Sequence, residues 1–138
     1  MKETMILIID GQGGRIGAQL VAQLKQQAPG AVITAVGTNS MATSAMLKAG
    51  ADQAATGENA VLTCCRRAHV IAGPLGIAVA DSFLGEVTPA MAVAVGQSEA
   101  DKVFIPANRC GNMVAGIGKQ PLGDLIDDAV RLILQSLA

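Results

Sequence analysis

The sequence of 138 residues predicts a three-layer α/β fold, in which a mainly parallel sheet of five or six strands lies between helices. Short apolar runs alternate with segments of helical periodicity, and this alternation is typical of strand–helix–strand units. Apolar residues make up 51% of the chain, and it contains two Phe but no Trp or Tyr. The many small and branched aliphatic side chains suit strands that are buried on both faces.

The first third of the chain predicts two strands and two helices. The apolar run Met5–Ile9 is the first strand, and the helical pattern after it ends at Pro29-Gly30. Ala31–Val36 is a second, partly β-branched strand. The next helix covers Met41–Ala49, and Gly50 stands where a glycine commonly closes a helix.

The middle of the chain continues the alternation. Ala51–Thr56 gives only a weak signal for a third strand. A short helix begins at Gly57-Glu58-Asn59 and extends to Cys65. Arg66-Arg67 stands at the C-terminal end of this helix, where cations complement the helix dipole. His69–Ala72 is the fourth strand, and the histidine stands at its amino end, where a structural role is expected.

The last third begins with residues 77–84, which fit helix and strand equally well. Thr88-Pro89 begins a helix, with Thr as the N-cap and Pro at the first helical position. Lys102–Ala107 is the fifth strand, and Met113–Ile117 is the segment that would make a sixth. The final helix, Pro121–Leu137, has an apolar stripe with acidic residues in its first turns.

Glycines 11, 13, 14 and 17 follow the first strand. A glycine-rich turn between a strand and a helix brings backbone N–H groups and a helix N-terminus against a phosphate. The pattern G-x-G-x-x-G fails at Ile16, whereas G-x-x-G-x-x-G fits with Gly11 in the tight turn, Gly14 facing a pyrophosphate and Gly17 packing the helix on the strand. Alternatively, the glycines serve close packing of helix and sheet alone.

Two neighbouring features depart from an ordinary NAD site. The acidic residue that binds the ribose is absent from Gly37-Thr38-Asn39-Ser40, which follows the second strand. These donors, together with Arg15, suit a 2′-phosphate and favour NADP over NAD. Asp10 repels a pyrophosphate unless a cation or proton intervenes, so it either holds Mg²⁺ or, as we prefer, accepts N–H groups of the turn.

Ligands of open α/β sheets lie beyond the carboxyl ends of the strands. The residues predicted to bind a cofactor share this edge and are Asp10, Gly11, Gln12, Gly13, Gly14, Arg15, Ile16, Gly37, Thr38, Asn39, Ser40, Gly73, Pro74, Asn108 and Arg109. Arg109 is either a clamp for a carboxylate or phosphate or a solvated loop residue. Asp81 and Glu86 interrupt an apolar region. They are either buried carboxylates of a functional site or, as we prefer, caps of the turn that precedes Thr88. No catalytic residue is identifiable.

Composition excludes several functional classes. Ten basic and eleven acidic residues give a net charge of −1 without a basic patch, and aromatic residues for base stacking are lacking, so we expect no nucleic-acid partner. No apolar run reaches the roughly 20 residues that span a bilayer. Cys64, Cys65 and Cys110 fit no zinc spacing, so no metal site is predicted, and a single domain in the reducing cytoplasm is expected.

The glycine turn itself resembles two families of nucleotide-binding enzymes. The segment Gly11–Gly17 is similar to the turn of extended and atypical short-chain dehydrogenases and to the G-x-x-G-R-M-G loop of dihydrodipicolinate reductase. Both resemblances cover only the first 20 to 40 residues, roughly. The chain has no Tyr for the Tyr-x-x-x-Lys chemistry of the dehydrogenases and no room for the substrate domain of the reductase.

A wider resemblance covers nearly the whole chain. It is carried by Asp10–Gly14, by Gly37–Ser40 with Met46–Asp52, by Ala55–Ala60, by Gly73–Gly76 and by Gly85–Ala92. These blocks resemble a family of small bacterial conserved hypothetical proteins with a domain of unknown function. The resemblance implies a Rossmann-like domain and no particular activity.

Two functional hypotheses follow from the sequence. The first is a nucleotide-binding domain that binds NADP and acts either as a small oxidoreductase or as a sensor. The second is a non-catalytic regulatory or scaffold subunit that retains the fold and self-associates, with Ile77–Val95 as its contact region. The apolar composition predicts a homodimer in either case.

Overall fold

The computed structural model describes residues 3–107 and 111–138. Its strands, in chain order, are β1 Met5–Asp10, β2 Val32–Gly37, β3 Gln53–Thr56, β4 Val70–Pro74 and β5 Asp101–Ile105. They form one five-stranded sheet in the order β3-β2-β1-β4-β5, and every neighbouring pair is parallel. The strand order therefore changes direction between β1 and β4, which is where open α/β sheets bind ligands.

Helices cover both faces of this sheet and bury β1 at its centre. They are α1 Arg15–Gln27, α2 Ser40–Lys48, α3 Glu58–Cys65, α4 Pro89–Gln97 and α5 Leu122–Leu137, with a 3₁₀ turn at Leu75–Ala78. Because successive strand side chains point to opposite faces, Ile6 and Ile8 pack with α1, α2 and α5. Leu7 and Ile9 pack with α3 and α4. The predicted three-layer α/β fold is confirmed.

Side-chain caps fix where two of the helices begin. Asn39 precedes α2, and its Oδ1 accepts a hydrogen bond from the Ala42 N–H at 2.9 Å. Thr88 precedes α4, and its hydroxyl oxygen accepts from the Met91 N–H at 3.2 Å, with Pro89 at the first helical position. The start predicted for α4 is confirmed.

The predicted sixth strand, Met113–Ile117, is wrong. Within residues 111–138 the structure has no strand, and the Ile117 N–H closes a turn on the Val114 carbonyl at 3.3 Å. Gly111 and Gly116 have φ angles of 83° and 85°, which turn the chain rather than extend it. Met113 is 94% exposed, so its apolar side chain does not mark a buried strand.

Two further segments differ from the sequence expectation. Gly73 and Pro74, which lie beyond the predicted fourth strand His69–Ala72, are the buried last residues of β4. The ambiguous segment 77–84 is neither helix nor strand beyond the 3₁₀ turn, because Phe83 and Leu84 have left-handed φ angles of 58° and 56°. His69 lies at the amino end of β4 as expected, and its Nδ1 accepts from the Met5 N–H at 3.0 Å.

No helix in the described part of the chain has both the length and the apolar character that crossing a membrane requires.

Candidate functional site

The glycine turn joins the carboxyl end of β1 to the N-terminus of α1. The Gly14 N–H donates to the Gly11 carbonyl at 2.9 Å, which closes a tight turn. Gln12 and Gly14 have left-handed φ angles of 51° and 73°. The chain therefore reverses within four residues and enters α1 at Arg15, directly beyond the centre of the sheet.

The Asp10 carboxylate holds this turn together from inside. Its Oδ1 accepts from the Gly11 N–H at 2.8 Å, and its Oδ2 accepts from the Gly17 N–H at 2.7 Å. Asp10 is 4% exposed, so both oxygens face the protein interior. The preferred prediction, that Asp10 accepts N–H groups of the turn, is confirmed.

The environment of Asp10 makes its ionisation unfavourable. Burial raises the pKa of this carboxyl, the N–H groups of Gly17 and Gly11 lower it, and the negative charge of Glu86 raises it again, so the net pKa lies above 3.8. As the pH rises past 3.8, the unfolded chain loses this proton before the native chain does. Ionisation of Asp10 therefore lowers the free energy of unfolding until the pH exceeds the native pKa.

We expect Asp10→Asn to lower the free energy of unfolding by about 1–3 kcal/mol at pH 7. An amide has one accepting oxygen, so its NH₂ group would face either the Gly11 or the Gly17 N–H, and one buried donor would lose its acceptor. Urea unfolding measures the loss, and Glu99→Gln, which removes the same charge at an exposed position, is the control. Equal midpoints for Asp10→Asn and the control would contradict this account.

Glu86 belongs to this site, which is the less favoured of the two interpretations that the sequence allowed. Its Oε1 accepts from the Gln12 N–H at 2.9 Å, from the Thr38 hydroxyl at 2.6 Å and from the Asn39 side-chain amide at 2.9 Å. The prediction that Glu86 caps its own turn is therefore wrong. The isolated position of Glu86 in an apolar region indicated the site, and the absence of an acidic residue after the second strand is the signal that would have strengthened this interpretation.

The loop that carries Glu86 lies over the glycine turn. The Asp81 N–H donates to the Val87 carbonyl at 2.7 Å and closes the base of the loop. Phe83, only 3% exposed, packs into the sheet face next to the turn. The left-handed residues of this loop direct the Glu86 side chain towards β2 rather than towards α4.

Glu86 is ionised at neutral pH. Burial raises the pKa of its carboxyl, but the hydrogen bonds from the Thr38 hydroxyl, the Gln12 N–H and the Asn39 amide lower it by more, so the net pKa lies below its usual range. The site consequently contains a negative charge that the chain itself supplies.

Packing explains three of the four glycines. A Cβ at Gly11 would lie 2.6 Å from the Thr38 hydroxyl oxygen, and one at Gly14 would lie 2.7 Å from the Ala42 Cα. A Cβ at Gly17 would lie 2.9 Å from the Asp10 Cβ, which agrees with the predicted close packing of helix on strand. At Gly13 a Cβ would meet nothing within 4 Å. Gly13, rather than Gly14, is therefore the glycine that faces open space.

The other predicted site residues lie at the same edge with different exposures. Arg15 and Ser40 are exposed at the N-termini of α1 and α2, whereas Ile16 is part of the core. Gly37 ends β2 opposite Asp10 in the register. A Cβ at Gly73 would overlap the Ile9 carbonyl oxygen, which explains that glycine by strand packing. Asn108 and Arg109 lie outside the described residues.

Two cavities lie beside the sheet, one at each end of its strands. An apolar crevice of about 230 Å³ lies beside the carboxyl end of β5, between Phe104 and Leu132. A groove of about 870 Å³ runs between α3 and α4 at the opposite end of the sheet, lined by Arg66, His69 and Val93 among others. The larger groove is thus remote from the predicted site, and its position beyond the amino ends of the strands disfavours a role in nucleotide binding.

Comparisons with known proteins identify the fold and the family. No curated protein matches the chain. The crystal structure of AibC is similar over 98% of this chain with a TM-score of 0.50, at 18% sequence identity, a level at which the likeness concerns the fold alone. This chain spans only 40% of that protein's length. The profile of a domain of unknown function, DUF3842, matches residues 5–138, and the chain therefore belongs to the DUF3842 family.

Proposed function

We propose that this domain binds a nucleotide, with a dinucleotide of the NAD(P) class as the leading ligand, at the glycine turn between β1 and α1. The observation that carries the proposal is the open space at Gly13. The other three glycines of the turn are explained by packing, whereas the absence of a side chain at Gly13 serves no internal contact. A phosphate that approaches the backbone closely requires this absence.

The surroundings of Gly13 favour an anion. The turn leads into α1, a helix of 13 residues whose N-terminus carries a partial positive charge. Arg15 is exposed at this N-terminus and adds a full positive charge. The Asp10 carboxylate is engaged by two N–H groups and buried, so it does not face the open side of the turn.

The location agrees with the topology. The turn lies at the carboxyl end of β1, and the strand order changes direction between β1 and β4. Ligands of open α/β sheets bind in the crevice at such a point. The apolar crevice beside β5 lies at the same edge and is suited to a less polar part of a larger ligand.

A thermal-unfolding screen with NADH, NADPH, FAD, ATP, coenzyme A and S-adenosylmethionine tests the proposal. A ligand at 100 times its Kd should raise the free energy of unfolding by about 2.7 kcal/mol and the melting temperature with it. Calorimetric titration then confirms one site per chain. The proposal fails if no nucleotide shifts the transition or produces heat at millimolar concentration.

A further inference from the structure

We infer that Glu86 determines which nucleotides bind, by accepting a hydrogen bond from a free ribose 2′-hydroxyl and repelling a 2′-phosphate. The inference rests on the proposed nucleotide binding. It narrows the ligand class to nucleotides whose ribose has a free 2′-hydroxyl, such as NAD or ADP. It reverses the preference for NADP that the neutral residues after β2 predict.

The position of the carboxylate is the first argument. Dinucleotide-binding folds of this type hold the ribose with an acidic residue at the end of the second strand. Here β2 ends at Gly37 and is followed by Thr38 and Asn39, neither of which is acidic. The Glu86 Oε1 lies 2.6 Å from the Thr38 hydroxyl oxygen. A carboxylate therefore lies at the end of β2 although a different loop supplies it.

The two oxygens of Glu86 have different environments. Oε1 accepts from three donors and is fixed by them. Oε2 accepts no hydrogen bond from the residues in 3–107 and 111–138, and the side chain is only half-buried. An ionised carboxylate is an acceptor without a donor, so Oε2 matches the hydroxyl of a ribose. Because Oε1 is already anchored, binding requires little further ordering of this side chain.

Charge is the second argument. The donors that would suit a 2′-phosphate, the Thr38 hydroxyl and the Asn39 amide, already donate to Glu86. A phosphate at this place would meet the Glu86 carboxylate directly, and a like charge at close range is unfavourable. Arg15 is exposed directly after the glycine turn, but it balances at most one of the charges that a 2′-phosphate adds.

The hydrogen bonds of Glu86 are also compatible with a different effect, in which the carboxylate hinders the binding of every nucleotide. Glu86 occupies the Gln12 N–H, which a phosphate oxygen also fits. If the carboxylate obstructed the turn, its removal would tighten the binding of all nucleotides alike. A role in selection instead predicts a change in the ratio between two ligands, and the ratio is therefore the decisive quantity.

Calorimetric titration of the whole chain with NAD and NADP measures this ratio in the unsubstituted protein, in Glu86→Gln and in Glu99→Gln. The last removes the same charge at an exposed position beside the start of β5. We expect NAD to bind at least about tenfold more tightly than NADP to the unsubstituted protein and to the control. In Glu86→Gln the preference should fall to within about threefold, because the glutamine can keep the three hydrogen bonds to Oε1 but presents a donor in place of Oε2.

A ligand series in the unsubstituted protein gives a second test that no folding defect can disturb. ADP should bind about tenfold more tightly than 2′-deoxy-ADP, and AMP should bind more tightly than adenosine 2′,5′-bisphosphate, which differs from it only by the 2′-phosphate. Equal affinities across the series, or a preference unchanged in Glu86→Gln, would overturn the inference and leave nucleotide binding intact. Tighter binding of both dinucleotides by Glu86→Gln would overturn it in favour of obstruction. If no nucleotide binds at all, the proposed function fails and the inference with it.

Discussion

Alanine at position 13 should weaken nucleotide binding by more than about tenfold and leave the fold intact. The added Cβ would meet no protein atom within 4 Å, and the Gly13 φ angle lies outside the left-handed region, so the native backbone accommodates alanine. The methyl group would instead occupy the space through which a phosphate approaches the backbone. Titration of Gly13→Ala with the best nucleotide of the screen measures the effect, and thermal unfolding should show a melting temperature no lower than that of the parent.

Gly14→Ala is the matched substitution at the adjacent position, and we expect it to affect stability more than nucleotide binding. Gly14 has a φ angle of 73°, and a Cβ there would lie 2.7 Å from the Ala42 Cα, a backbone atom of α2. Stability should fall by about 1–3 kcal/mol, because the strained φ angle and the displacement of α2 both add to the cost. Unimpaired nucleotide binding by Gly13→Ala would show that no phosphate lies over this residue and would remove the main support for the site.

The fold could be predicted because its signals are local. The apolar run of β1, the N-cap at Thr88 and the amphipathic pattern of α5 each depend on neighbouring residues, and the structure confirms all three. The prediction of a sixth strand was wrong because residues 113–117 have no neighbouring strand in the sheet. Strand pairing is a property of the tertiary structure and does not follow from a short apolar run.

The glycine turn was predictable for the same reason, whereas its contact with Glu86 was not. The path of residues 81–86 depends on left-handed φ angles at Asp81, Phe83 and Leu84. Such angles at Phe and Leu cannot be predicted from the residue type. The hydrogen bond between Gln12 and Glu86 joins residues 74 positions apart. A contact of that separation follows from the sheet order, which the alternation of strands and helices does not determine.

The predicted homodimer, the cytoplasmic location and the scaffold alternative stay predictions. In the region predicted for self-association, Leu84 is fully exposed and Val93 is 51% exposed. These two side chains lie in different elements, at the tip of the loop over the turn and on α4. Sedimentation of the chain at micromolar concentration measures its oligomeric state directly.

Gly73→Ala should be the most destabilising of the glycine substitutions, with a loss of about 3 kcal/mol or more. Its Cβ would overlap the Ile9 carbonyl oxygen, and Ile9 belongs to the strand at the centre of the sheet. Neither backbone can yield, because β1 pairs with β2 on its other side and β4 pairs with β5. Since a domain has a total stability of only about 5–15 kcal/mol, a large fraction of the native state is lost.

The effect of Gly73→Ala should also reach the proposed nucleotide site, because separating β1 from β4 changes the distance between the glycine turn and the Glu86 loop. Urea unfolding compares Gly73→Ala with Gly96→Ala, a substitution in α4 where a Cβ would meet nothing within 4 Å. The helical control should gain stability, by about 0.5–1 kcal/mol, since alanine favours helix over glycine. Equal unfolding midpoints for the two variants would mean that β1 and β4 do not pack as closely as this overlap requires.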